Sequence, residues 1–160
     1  MSTSVTLPER SGERPKTGPA MPHQQLDQIA PVELQDELWR RMSTLEDVTT
    51  GRSGVSLPET RALHLDPARA TGPPEAYLVG TEFAHLHGDF DGSLHVALPK
   101  DAADEAIEKG WAELHPLARE GVLPPTLVML YGPRDEAELE TIWQLVEASY
   151  AFACGRVERR

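Results

Sequence analysis

The sequence predicts an α+β fold in which a mostly antiparallel sheet has its helices packed mainly on one face. An amphipathic helical stripe comes first, several short strand-like segments separated by turn residues follow, and a long amphipathic helix comes last. Between the strands and the last helix lie one more helical segment and one more apolar strand. The order helix, strands, helix, strand, helix favours an antiparallel sheet with helices on one side of it.

The 160 residues are expected to form a single domain with a tail at each end. Residues 1–30 combine several prolines with Ser, Thr, Gly and charged residues, and their low apolar content predicts a disordered tail. Residues 31–155 make up the predicted α+β domain, and residues 156–160 form a basic tail.

The formal net charge of −11 predicts that the acidic domain repels nucleic acids and anionic membranes, so neither is an expected partner. No apolar run is long enough to span a bilayer, and the first residues lack the apolar segment of a signal peptide. The single cysteine, Cys154, cannot form an internal disulfide, which suits a reducing compartment. Cytoplasmic residence is therefore expected. The expected partner is a small-molecule ligand or substrate of the histidine site, and the oligomeric state is left open.

The first elements follow from apolar spacing and from chain breakers. Pro31 is predicted to open a helix with a stripe of apolar residues on one face, and residues 49–56 are predicted to be a loop. Short strands are predicted over residues 61–66 and 75–80, separated by the breaker Gly72-Pro73-Pro74.

A histidine-rich hairpin is predicted next, with strands over residues 82–87 and 93–98 around the turn-forming segment 88–92. Alternation places Phe83 on the same face as the histidines of the first strand. A symmetric loop pairs residue 87 with residue 93 and residue 85 with residue 95, with Cβ atoms about 4.5–5.5 Å apart. The histidine triad, defined as His85, His87 and His95, then shares one sheet face. The opposite face is the predicted core face and carries Leu86, Leu94, Val96 and Leu98.

The remaining elements complete the predicted order. Asp101 is a predicted cap for a helix that ends at Gly110, and residues 110–116 are predicted to be a structured loop. Residues 126–131 are apolar on both faces, which is typical of a central strand. Asp135 and Glu138 approximate a capping box for the last helix.

The histidine triad could bind a divalent metal, with zinc or iron as the candidates. Two histidines at i and i+2 on one strand and a third on its neighbour form a geometry that such metals use. The fourth position could be filled by His115, Glu82, Asp91 or water. Glu82 is the weakest of these, because alternation places it on the other face unless Gly80-Thr81 forms a bulge.

The same cluster could instead perform acid–base catalysis without a metal, because histidine is the usual group for proton transfer near neutrality. His95, His115 and Glu113 are the catalytic candidates, and alternation in an extended segment places Trp111 beside the last two. A serine-histidine hydrolase pair at Ser93 is less favoured, since no nucleophile elbow surrounds it. The simplest structural interpretation is a polar, solvent-facing sheet surface.

Three runs of this sequence resemble a bacterial, fungal and plant family labelled "luciferase domain", most of whose members have no known function. The resemblance spans about residues 58–154 and rests on the runs EFAHLHGDFDGSLHVALP, EKGWAELHPLA and PPTLVMLYGPRDEAELETIWQLVEASY. It implies that His115 is the preferred fourth member of the site. The label implies little mechanism, and the sequence has no signature of flavin or nucleotide binding.

Two functional hypotheses follow, and the sequence does not decide whether the protein is an enzyme. The first is a small-molecule enzyme or ligand-binding protein with a histidine-lined site on the sheet face away from the main helices, including a metal-dependent form. The alternative is a non-catalytic protein-interaction module that uses the same face. A deep pocket favours the first, whereas a flat face with an exposed apolar rim favours the second.

Overall fold

A computed structural model of the chain describes residues 6–18 and 21–156. Its elements, in chain order, are α1 (Val32–Met42), β1 (Val48–Arg52), β2 (Arg61–Leu65), a 3₁₀ turn (Pro74–Ala76), β3 (Glu82–Leu86), β4 (Leu94–Ala97), α2 (Lys100–Glu108), β5 (Ala112–Leu114), α3 (Pro116–Arg119), β6 (Leu127–Leu130) and α4 (Glu136–Ala153).

The six strands form one open sheet in the order β1-β2-β3-β4-β6-β5. Every neighbouring pair is antiparallel. Helices account for the rest of the regular structure, so the predicted α+β class is confirmed.

The hydrophobic core lies between the sheet and the helices α1, α2 and α4. The core face of the hairpin packs there as predicted, and its side chains are fully buried. The helix side chains that cover it are Leu38 and Met42 of α1, Ala103 and Ala106 of α2, and Leu139, Ile142, Leu145 and Val146 of α4. Because this face supplies the apolar packing, the opposite face of β3 and β4 is free to bear polar groups.

Three predicted segments differ from the structure. Residues 49–56 are not simply a loop, because β1 pairs along its length with β2. The residues of β1 are mostly exposed and polar, so the sequence gives no sign of this edge strand. Residues 75–80 are not a strand, because the 3₁₀ turn occupies their start and only an isolated bridge joins Val79 to Glu82. The structured loop of residues 110–116 contains β5, which is too short to show alternation.

The predicted tails lie partly outside the described residues, since residues 1–5, 19–20 and 157–160 are not described. The leader segment, defined as residues 6–18 and 21–30, contacts the domain. Leu7 is buried, Trp111 Nε1 donates to the carbonyl of Pro8 at 2.7 Å, and Arg134 donates to the carbonyl of Ser11 at 2.8 Å. The predicted division into tail, domain and tail stays a prediction, and these contacts are the reason to test it by truncation.

Among the described residues, no helix has the length and apolar character needed to cross a membrane.

Candidate functional site

The hairpin has the predicted register. His85 lies directly opposite His95, and the backbone N–H of His87 donates to the carbonyl of Ser93 at 2.9 Å. Asp91 stabilises the turn, because its carboxylate accepts from the backbone N–H of Ser93 at 3.0 Å. The local turn chemistry therefore brings the histidine triad onto one face.

A β-bulge changes the faces at the start of β3. The pairing with β2 skips Phe83, so Glu82 and Ala84 pair with consecutive residues of that strand. The prediction that Phe83 shares the histidine face is wrong, since its ring is fully buried in the core, 5.9 Å from the ring of Tyr150. For the same reason Glu82 turns to the histidine face, where Oε2 lies 2.7 Å from Nδ1 of His85.

The histidine triad converges on one point. The Nε2 atoms of His85 and His87 each lie 3.1 Å from Nδ1 of His95. One ring nitrogen from each residue lies within 4.8 Å of the other two, and all three side chains are buried. This three-histidine group could hold a metal ion.

The outward-facing nitrogens of His85 and His87 are bonded to oxygen acceptors. Nδ1 of His85 faces Glu82, and Nδ1 of His87 lies 2.9 Å from Oγ of Ser93, whose hydroxyl in turn donates to Asp91. A carboxylate, or a hydroxyl already donating to one, can only accept, so Nδ1 bears the proton in both rings. The Nε2 atoms therefore direct lone pairs at the centre of the triad.

His95 is oriented by a residue of the leader segment. Its Nε2 lies 2.9 Å from Nδ1 of His23, and Nε2 of His23 lies 2.7 Å from Oε2 of Glu113. Because the carboxylate accepts, protons fall on Nε2 of His23 and then on Nε2 of His95. Nδ1 of His95 is left with its lone pair. Three lone pairs then face each other with no proton between them, an arrangement that a central cation relieves.

Burial sets the charge state of the site. It lowers the pKa of His95 well below its ordinary value, and it lowers the pKa of His85 although the hydrogen bond to Glu82 opposes this. Burial works against ionisation of Glu82 and Glu113, but hydrogen bonds from their partners outweigh it, so the pKa of each carboxyl lies below its ordinary value. At neutral pH the site combines neutral imidazoles of His85 and His95 with ionised carboxylates.

The predicted residues Glu113 and His115 both lie at the site, Glu113 in the contact with His23 and His115 at the N-terminus of α3. The ring of His115 is 5.0 Å from that of His95, and burial together with nearby histidine charges lowers its pKa to about 4. Trp111 does not join them; it packs in the core, since the strand begins only at the next residue. The catalytic and ligand roles assigned to these residues stay predictions.

A cavity of about 690 Å³ opens on the histidine face. The triad, His23 and His115 line it together with the uncharged polar residues Gln24, Ser56 and Thr60, and Asp91 is the one Asp, Glu, Lys or Arg among the described residues that line it. Its apolar lining is Met21, Pro22, Val55, Leu57, Leu78, Phe90, Leu117, Leu123 and Leu127. Such a cavity suits a molecule that is mostly apolar and makes a few polar contacts at one end.

His23 is the site residue that sequence reasoning missed. It lies in a proline-rich segment without helical or strand periodicity, so no local pattern indicates its position. Long-range contacts hold it there: the neighbouring Gln25 accepts from the backbone N–H of Gly132 at 3.0 Å. Ser53 was also missed; its hydroxyl donates to Glu82 at 2.8 Å from the end of an edge strand that was itself not predicted.

Comparison with known proteins confirms the resemblance for part of the chain. Residues 80–149 match the family model described as "Luciferase domain". Two curated relatives are a luciferase of Armillaria mellea, 42% identical, and a luciferase of Neonothopanus nambi, 44% identical, each over 73 residues. The match covers 44% of this chain and 27% of each relative. No solved structure matches the chain significantly. The triad, Glu113 and His115 lie within the matched segment, whereas His23 lies outside it.

Proposed function

We propose that the histidine triad is a metal centre at which the protein binds, and acts on, a largely apolar small molecule. The observation that supports this most is the convergence of three imidazole nitrogens, each held by a partner on its other nitrogen. Metal-ligating histidines characteristically donate their second N–H to a carboxylate or another acceptor, which fixes the tautomer and the ring orientation.

The residues fit a metal of the zinc or iron type. In tetrahedral geometry with Zn–N bonds of about 2.0–2.1 Å, ligand nitrogens lie about 3.3 Å apart. Two pairs of triad nitrogens are 3.1 Å apart, so small side-chain shifts would admit the ion. Three histidines leave a further position open, as in catalytic zinc sites. When bound, the metal would supply Lewis acidity at that position.

The cavity supports a substrate with little charge. A strongly anionic or cationic molecule would find one carboxylate and the neutral imidazoles of His85 and His95 in a mostly apolar wall. Burial of an uncharged, apolar molecule would be favourable at roughly 25 cal/mol per Å² of its apolar surface. The curated relatives are named luciferases, but the match covers 27% of their length and light emission is not part of this proposal.

A second candidate function is protein interaction at the same face. Four residues of the cavity lining are also notably exposed: Met21 at 54%, Val55 at 49%, Leu57 at 38% and Phe90 at 54%. An exposed apolar rim is a feature of surfaces that bind partners. The same rim would also serve as the entrance for an apolar small molecule, so metal binding is the property that separates the two hypotheses.

The test is metal titration of protein made without a histidine tag and freed of metal with a chelator. We expect one zinc or ferrous ion per chain. His85→Ala, His87→Ala and His95→Ala should each weaken binding by more than the roughly 10–100-fold that is typical of losing an outer partner of a ligand. His64→Ala is the matched control, because His64 lies outside the triad and bonds to the carbonyl of Arg52.

Metal affinity should also fall once protons compete for the ligating nitrogens, and because burial lowers the pKa of His85 and His95 this should happen at a pH below their ordinary pKa of about 6.5. Absence of stoichiometric metal binding by the parent protein would reject the metal centre and leave the interaction hypothesis. Equal metal loss in the His64 control and the triad variants would show that the bound ion is not held by the triad.

A further inference from the structure

His115 has one ring nitrogen occupied by the backbone. Its Nδ1 accepts from the backbone N–H of Leu117 at 3.1 Å and so caps the first turn of α3. A neutral imidazole has one donor and one acceptor. Since Nδ1 is the acceptor here, the proton lies on Nε2, and that nitrogen has no lone pair to give to a metal.

The Nε2–H group of His115 has no acceptor among the described residues, although the side chain lines the cavity and the residue is only 8% exposed. The neighbouring nitrogens cannot accept, because both nitrogens of His95 and both of His23 are engaged in the contacts of the triad and of Glu113. Because His115 lines the cavity and its one side-chain hydrogen bond within the described part of the chain is made by Nδ1, a molecule in the cavity can supply an acceptor for Nε2–H.

The triad is enclosed on the sides where its outer partners lie. Glu82 backs His85, the Asp91–Ser93 pair backs His87, and His23 backs His95. The triad and His115 line the same cavity, and the ring of His115 lies 5.0 Å from that of His95. A ligand in this cavity can therefore reach the metal centre and the N–H of His115 together.

We propose that His115 is a hydrogen-bond donor to the ligand at the metal centre and not a fourth metal ligand. The proposal rests on the metal centre proposed above. Nε2–H would bond to an oxygen or other acceptor atom of the ligand, such as a carbonyl, an enolate or a phenolate. A fixed donor in a largely apolar cavity stabilises negative charge on that atom as it develops. The substrate class is thereby narrowed to an apolar molecule with an oxygen acceptor at the end that faces the metal.

Two substitutions distinguish the role of Nδ1 of His115 as a helix cap from the role of Nε2 as a donor. In His115→Asn the side-chain oxygen can still cap the N–H of Leu117, since asparagine is a favourable N-cap, but no donor reaches the place of Nε2. In His115→Gln the amide nitrogen reaches that place while the cap is lost. His64→Asn is the matched control at a histidine outside the site.

The first measurement needs no metal. Side-chain ¹⁵N NMR of metal-free protein with labelled histidines should show His115 with its proton on Nε2. A proton on Nδ1 alone would overturn the proposal, whether or not the triad binds metal.

The second measurement uses cobalt(II) as the metal and azide as the ligand, followed by electronic absorption. Both His115 variants and the His64 control should bind one cobalt with the parent affinity. Azide binding should weaken about 10–100-fold in His115→Asn, the loss expected for a hydrogen bond to a charged acceptor, and His115→Gln should recover most of it.

The outcomes distinguish the two proposals. Loss of cobalt in His115→Asn would make His115 a metal ligand and overturn the donor role. Unchanged azide affinity in His115→Asn, with cobalt bound, would overturn it as well. Failure of the parent protein to bind cobalt would reject the metal centre and with it a donor role toward a metal-bound ligand, whereas a proton on Nδ1 in the NMR experiment would overturn the donor role while leaving the metal centre standing.

Discussion

Replacement of His23 by alanine should weaken metal binding although His23 touches no metal. The substitution removes the acceptor of the Nε2–H of His95, at 2.9 Å, and the donor to Glu113, at 2.7 Å. The ring of His95 can then rotate or adopt its other tautomer, which places a proton where the metal lone pair is needed. Removal of an outer partner of a ligand typically costs about 10–100-fold in metal affinity.

The same substitution should have a modest effect on folding. It leaves one buried N–H of His95 without an acceptor, which costs about 1–3 kcal/mol. Glu113 keeps two other donors, the hydroxyl of Tyr131 at 2.8 Å and that of Thr17 at 2.9 Å, so its carboxylate remains hydrogen-bonded. The variant should therefore fold, and its metal affinity can be measured in the folded state.

Gln25→Ala is the matched control from the same segment. Gln25 is as buried as His23 and bonds to the backbone of Gly132, but the structure shows no contact between it and the triad. It should lower the free energy of unfolding in urea and leave zinc affinity, measured by competition with a chromophoric chelator, near the parent value. Parent-like zinc affinity in a folded His23→Ala protein would refute the reasoning. The reasoning would also be refuted if the effects of His23→Ala and Glu113→Gln on the free energy of zinc binding were strictly additive. Groups in one hydrogen-bond chain should instead show a coupling free energy of about 0.5–3 kcal/mol.

Three further predictions concern stability. Metal-free protein should become less stable as pH falls below about 6.5, because burial lowers the pKa of His85 and His95 in the folded state and the unfolded chain therefore takes up protons first. Each of the two groups lowers the free energy of unfolding by up to about 1.4 kcal/mol per pH unit. Urea unfolding at pH 7.0 and 5.5 would measure this loss. Ile142→Ala should lower the free energy of unfolding by about 2–5 kcal/mol, because it truncates a core side chain, whereas the exposed Gln144→Ala should change it little. Equal urea midpoints for the two variants would contradict the assigned core. Deletion of residues 1–30 should lower Tm, because it removes the buried side chain of Leu7 from the core and the backbone acceptor of Trp111, whereas composition alone predicts almost no change.

The parts of the fold that the sequence predicts are those determined by neighbouring residues. The hairpin register follows from alternation and from the turn formers between Gly88 and Gly92, all within a few positions of the histidines. The last helix follows from its apolar spacing and from Asp135, whose carboxylate accepts from the backbone N–H of Glu138 at 2.8 Å. Local chemistry is sufficient in both cases.

The parts that it does not predict depend on partners distant in the chain. The bulge at Phe83 exists only in the pairing of β3 with β2, so alternation within β3 alone assigns both Phe83 and Glu82 to the wrong faces. The edge strands β1 and β5 gain their backbone bonds from β2 and β6 and show little apolar alternation of their own. Composition cannot show that a polar, proline-rich segment lies along a folded surface.

The central histidine shows why the site needs chain outside the segment matched by the luciferase domain. His85 and His87 direct Nε2 to the centre, so their Nδ1 atoms face their own strand or turn, where Glu82 and the Asp91–Ser93 pair supply acceptors. His95 directs Nδ1 to the centre, and its Nε2–H therefore points away from the hairpin. Among the described residues the acceptor for that N–H comes from the leader segment, through His23, and its proton is fixed in turn by Glu113 of β5. The hairpin alone can gather three imidazoles, but the tautomer that leaves the third lone pair free depends on a residue more than seventy positions earlier in the chain.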